Sequence, residues 1–179
     1  VVVERRNSGM DTLSFGSFPR SANHFCLELI AKSLPEIQFV HIEHYIHPID
    51  KQQNLFATIR TPLECIPSWI TFTEDVRENR AEQVLEWYCS YYQKCKESGV
   101  LVVPFDQITS SPLASMNYIC EHFGIHKTKL ESIEFDFSTN FHWASSNKSK
   151  YKTIIGEMQN APSFNMAMSL FEELCVPVG

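Results

Sequence analysis

No stretch of this chain is apolar for anything near the roughly 20 residues that a membrane-spanning helix needs. Val1-Val2-Val3 gives way at once to Glu4, Arg5 and Arg6, too short an apolar block for a secretory signal, so a cytoplasmic location is expected. Positive charge is scarce too. Fifteen Lys and Arg face 21 Asp and Glu, a net charge of −6, which speaks against binding nucleic acid through a broad basic surface. A small anionic ligand stays open, because a few focused cations suffice for it.

Cysteine pairs at metal or redox spacing are also missing. The six cysteines, Cys26, Cys65, Cys89, Cys95, Cys120 and Cys175, form no CxxC, and no His lies at ligand spacing from a cysteine pair. No zinc or other metal site is therefore expected. Most of the six sit inside apolar helical or strand patterns, where a free thiol behaves as a small hydrophobe; buried, reduced thiols of an intracellular protein are the expectation. Internal repeats and low-complexity tracts are absent.

What is present is enough chain, 179 residues, for one domain with a substantial core. A single domain over 1–179 is expected, its compact part starting near Met10, since Val1 to Gly9 carries no clear pattern. The element order reads β-α-β-β-α-α-β-α-α. Thr12 to Phe18 is a short strand bounded by Gly16 and Pro19, and Asn23 to Leu34 repeats apolar residues at helical spacing until Pro35 stops it. Gln38 to Ile42 is a second strand. Asn54 to Ile59, almost continuously apolar, fits a central parallel strand covered on both faces. Thr61 and Pro62 then open a helix toward Phe72, as N-cap and first helical residue. Ala81 to Ser98 is the longest helix, Val100 to Val103 a strand, Phe105 to Ser111 a turn region, and Pro112 to Phe123 a helix. Lys127 to Ile133 reads as a short helix, Ser138 to Lys152 as a polar connection, and Pro162 to Leu174 as a last amphipathic helix. Strands alternating with helices imply a mostly parallel sheet with helices on both faces, whose ligands bind at the carboxyl ends of the strands.

Two stretches fall at such ends. Phe15-Gly16-Ser17-Phe18-Pro19-Arg20-Ser21-Ala22-Asn23-His24-Phe25 joins a strand to a helix N-terminus, where free amides and the helix dipole favour an anion. Arg20 adds a forked cation suited to phosphate or sulfate, and Ser21 and Asn23 add short polar side chains. The loop lacks the glycine-lysine-hydroxyl ending of a Walker A motif. An ordinary βα turn with a solvated Arg is the plainer reading. The second stretch runs from Arg60 through Pro62 to Ser68, an arginine at a strand end and a serine two helical turns on, able to reach one phosphate together. A surface ion pair and a helix serine bonded to its own backbone are the plainer alternative.

Taken together, the stretches resemble the 3′-phosphoadenylyl-sulfate-dependent sulfotransferases. Pro19-Arg20-Ser21-Ala22-Asn23-His24-Phe25 is similar to that family's P-(K/R)-S-G-x-x-(W/F) loop, and Arg60-x-Pro62-x5-Ser68 to its R-x-P-x5-S segment. Leu101 to Ile108, Ser111-Pro112 and Phe123-Gly124-Ile125 resemble a later strand, turn and helix end of the family, so the likeness spans residues 12 to 125. It implies a three-layer α/β fold, a mostly parallel sheet flanked by helices, of the P-loop-NTPase-like sulfotransferase type. It also implies transfer of a sulfuryl group from 3′-phosphoadenylyl sulfate to a hydroxyl or amine acceptor, leaving 3′-phosphoadenosine 5′-phosphate.

Under this resemblance Arg20 lies beside the bridging oxygen of the phosphosulfate. Ser21, Ala22, Asn23 and His24 offer amides to the 5′-phosphate, Phe25 packs on adenine, and Arg60 and Ser68 hold the 3′-phosphate. Ala22 stands where the family has glycine, which requires φ below zero or strain. Phe105 replaces a common tyrosine. The closing R-K-G motif is absent, with Ser145, Ser146, Lys148 and Lys150 its only stand-in. A base for the acceptor hydroxyl is expected near the end of the second strand: His44 first, then His47, then Glu43, with His41 inside the strand. Two other functions fit the same residues. One is a non-catalytic nucleotide-binding relative; the other is a small P-loop-type phosphotransferase, against which the missing Walker lysine speaks.

Overall fold

The computed structural model describes residues 12–44, 49–125 and 148–177. Strands β1 (Thr12–Ser17), β2 (Gln38–His41), β3 (Leu55–Ile59) and β4 (Leu101–Pro104) form one sheet in the order β2-β1-β3-β4, and every pairing is parallel. Helices are α1 (Asn23–Ser33), α2 (Pro62–Phe72), α3 (Arg80–Glu97), α4 (Phe105–Ser110), α5 (Pro112–His122), α6 (Lys148–Gln159) and α7 (Phe164–Leu174).

Successive residues of a strand face opposite sides of a sheet, and the core divides on that rule. Leu55, Ala57 and Ile59 of β3 pack in one cluster with side chains of α2, α3, α6 and α7. Phe56 of β3 joins Leu13 and Phe15 of β1 in a second cluster with α1, α4 and α5. The result is a sheet between two helical layers. β3 is buried along its whole length, which accounts for its almost unbroken apolar sequence.

Gly16 lies inside β1 rather than at its end. A Cβ there would enter the Ile42 side chain and stand 3.1 Å from the Glu43 carbonyl oxygen, so glycine is what lets the chain leaving β2 close down on β1. Ser17 N donates to that Glu43 carbonyl at 3.2 Å, and Ile42 N to Phe15 O at 2.9 Å.

Two expected irregular segments are helical. Residues 105–110 form α4, short because Thr109 turns its hydroxyl back onto the Phe105 carbonyl at 2.8 Å and only Ile108 reaches the core. The polar connection expected through Lys152 instead begins α6 at Lys148, where Ile154 and Met158, one helical turn apart, are the buried anchors. Tyr151, Ile154, Ile155 and Met158 stand at helical spacing, behind a first turn of lysine and serine that continues the polar stretch. The expected start near Met10, the short helix from Lys127 to Ile133, and His47, Ser145 and Ser146 lie outside the described residues. Among the described residues, no helix is long and apolar enough to cross a membrane.

Candidate functional site

The chain leaves β1 for β2 on one side and β3 for β4 on the other, so the order reverses between β1 and β3. In open parallel sheets ligands bind in the crevice at that point, beyond the strand C-termini. Residues 18–22 leave β1 there, and Arg60 follows the last residue of β3.

The loop after β1 is held by hydroxyls from both flanking strands. Thr58 donates to the Ser21 carbonyl and Ser17 to Asn23 Oδ1, while Asn23 Nδ2 donates to the Phe18 carbonyl at 3.3 Å and Ser21 N to the same oxygen at 3.3 Å. Arg20 and Ala22 have φ of 63° and 72°, with Ser21 between them at negative φ. Left-handed residues spaced in this way curl a turn into a concavity of backbone amides. Ala22 therefore takes the glycine-like conformation rather than avoiding it, at a steric cost of about 1–2 kcal/mol. Its carbonyl accepts the first bond of α1, from Cys26 N at 2.9 Å, so the amides of Asn23 and His24 precede the helical ladder.

Arg20 and Ser68, from the two separate stretches, touch: Nε donates to Oγ at 3.0 Å. The same guanidinium lies 5.1 Å from the centre of the Phe72 ring. Arg60 reaches across the crevice, its Nη1 donating to the Arg20 carbonyl at 3.3 Å. Its Nε pairs with Glu64 at 3.0 Å, and its guanidinium sits 4.3 Å over the centre of the Phe105 ring. Two arginines, one serine and a curl of amides thus share one crevice. Donors of these kinds suit an anionic group.

Behind Arg60 the end of β3 is fixed from α3. Tyr88 donates to the Arg60 carbonyl at 3.0 Å and Tyr92 to the Thr58 carbonyl at 2.7 Å. Cys65 points at the same Arg60 oxygen, Sγ to O 3.8 Å, and burial pushes its thiol up to about 12. All six cysteines are free thiols and all but Cys175 are fully buried.

The remaining residues of the first stretch face differently. Ser21 is buried, its side chain turned inward beside Cys65 and Tyr92, so its hydroxyl does not face the concavity. His24 is exposed, and Phe25 is half-buried against the α1 side of the core. Lys150 is exposed on α6.

His44 stands at the same edge. Its Nδ1 lies 2.6 Å from the Ser17 carbonyl, and a carbonyl oxygen only accepts, so Nδ1 carries the ring proton. In the neutral ring Nε2 then holds a free lone pair. The imidazole is boxed edge-on by Trp69 and Trp87, centroids 6.2 and 6.1 Å away. Glu43 is exposed at φ 53°, and His41 is stacked on Phe15 at 5.7 Å. Burial lowers the His41 imidazole below its ordinary value.

Comparison with protein-family models, curated proteins and solved structures finds no match. The functional reading rests on the geometry of these residues. Several that matter escaped the sequence: Ser17 and Thr58, which fix the loop, and Trp69 and Trp87, which frame His44; Phe105, expected only as a replaced tyrosine, carries Arg60. Hydroxyls inside otherwise apolar strands were the available signal for the first pair.

Proposed function

We propose that this chain binds 3′-phosphoadenylyl sulfate in the crevice between β1 and β3 and transfers its sulfuryl group to an acceptor hydroxyl. The reading includes the P-loop-like sulfotransferase type of α/β fold. The observation that carries it is the Arg20–Ser68 contact with Arg60 alongside, which unites the two sequence stretches expected to hold opposite ends of one nucleotide.

Sulfuryl transfer asks for in-line positioning, charge neutralisation on the leaving phosphate, and a base. Arg20 and the amides of Asn23 and His24 meet the charge that grows on the 5′-phosphate. Arg60 and Ser68 hold the 3′-phosphate and thereby set the angle of the donor. His44 Nε2 takes the proton of the acceptor hydroxyl as its oxygen bonds to sulfur; the sulfur–oxygen bond to the phosphate breaks, and that oxygen keeps the electron pair. The Ser17 carbonyl keeps His44 in the tautomer that can do this. The acceptor is sought with a panel of phenols, sugars and amines incubated with the donor, read by mass spectrometry. A sulfuryl mass increment supports the reading. A phosphoryl increment with ATP and magnesium supports a phosphotransferase instead, and nucleotide binding without any transfer supports a non-catalytic relative.

A further inference from the structure

A pocket of about 550 Å³ opens on the far side of the two indoles that box His44. Trp69 and Trp87 line it and form a corner, in edge-to-face contact with 5.9 Å between centroids and an inclination of 69°. Val84 lies buried at its lining, and Glu74, Asp75 and Arg77 stand on its rim.

The rim charges do not cancel. Arg77 is held by Asp75 through Nε at 2.9 Å and Nη2 at 2.6 Å, and those bonds keep the Asp75 carboxyl down at about 2. Glu74 has no ion pair among the described residues, so the pocket keeps one uncompensated carboxylate.

Glu74 also occupies a conformation its residue type disfavours. Helix α2 closes with Asp75 N donating to Ile70 O at 3.1 Å and Glu74 N to Thr71 O at 3.4 Å, the bond pattern of a Schellman end. That motif puts Glu74 at the left-handed position, φ 51°, where glycine is the usual occupant. A glutamate kept there against its backbone preference, on the rim of a pocket, points to a use for its charge.

We propose that this pocket is an organic-cation site, which takes an ammonium group in the Trp69–Trp87 corner with Glu74 as counter-charge. Indole faces are the strongest aromatic partners of such cations, and the exposed Glu74 carboxylate beside them favours a cation over an anion. The site stands apart from His44, which is not among the residues lining the pocket.

The binding claim is tested without nucleotide by calorimetric titration of the full chain with 2-phenylethylammonium and with neutral 2-phenylethanol, at constant ionic strength. The ammonium is expected to bind at least tenfold more tightly than the alcohol. Glu74→Gln is expected to erase that preference, whereas Arg77→Ala, which frees the Asp75 carboxylate on the same rim, keeps or strengthens it. Glu74→Gly is expected to raise thermal stability and lose the preference together, which separates lost charge from lost fold. Equal affinities for the two probes, no saturation by either, or a preference that survives in Glu74→Gln overturns the proposal. Ammonium selectivity in a chain that binds no 3′-phosphoadenosine 5′-phosphate leaves the pocket standing and removes the sulfuryl-transfer reading alone.

Discussion

Arg20 Nε donates to Ser68 Oγ at 3.0 Å across 48 positions of sequence. The contact joins the loop after β1 to the second turn of α2, and it leaves both partners on the crevice between β1 and β3. An anion entering there meets a guanidinium already aimed by a neutral hydroxyl and, among the described residues, in no ion pair. Removing the hydroxyl in Ser68→Ala forfeits one hydrogen bond to the ligand and the aim of Arg20. The expected loss is about 1–1.5 kcal/mol, roughly five- to tenfold in affinity for 3′-phosphoadenosine 5′-phosphate, read by calorimetry. An unchanged affinity would separate Ser68 from the site.

Ala22 tests whether the loop is strained. Glycine relieves the left-handed cost at φ 72° but adds backbone entropy to the unfolded chain of about 0.4–1 kcal/mol. Ala22→Gly is therefore expected to be neutral or to stabilise by about 0.5 kcal/mol in urea unfolding, and to keep nucleotide affinity. A loss above about 1 kcal/mol would mean that the alanine methyl makes a packing contact worth more than the strain.

Gly16 is where β1 meets the turn that carries His44. An added methyl there meets Ile42 and the Glu43 carbonyl, both of which lead into His44. Gly16→Ala is expected to destabilise by about 1–3 kcal/mol, measured by denaturant unfolding, and to lower turnover further by displacing the imidazole from Ser17. Wild-type stability in this variant would show that β2 and its following turn close on β1 less tightly than described.

These cases show what could be read from the chain alone. The strands were legible because burial leaves a mark within each: β3 is apolar throughout, and β1 ends within a residue of its expected limit. Arg20, Arg60 and Ser68 stood out by position at strand ends and helix starts, which is local information. The polar frame did not. Thr58 matters through a carbonyl 37 positions away and Ser17 through a histidine 27 positions away, and neither distance is written in a period or motif. Helix α4 leaves no mark because six residues with one buried side chain show no period, whereas α6 carries one, Tyr151, Ile154, Ile155 and Met158, behind a lysine-rich start that continues the polar stretch before it.

His44 separates binding from chemistry. Asparagine can place an amide N–H on the Ser17 carbonyl as Nδ1 does, but supplies no basic atom. His44→Asn is expected to keep nucleotide affinity within about twofold and to cut turnover by roughly 10²–10⁴. Undiminished turnover would transfer the role to another group.

The most direct measurement of the central claim is calorimetric titration of the chain with 3′-phosphoadenosine 5′-phosphate, alongside Arg20→Ala and Arg60→Ala. A single saturable site is expected, with each variant weaker by about 2 kcal/mol, roughly 30-fold, as fits a lost hydrogen-bonded charge. Absence of binding at millimolar nucleotide in a folded wild-type chain, or wild-type affinity in both variants, would contradict it.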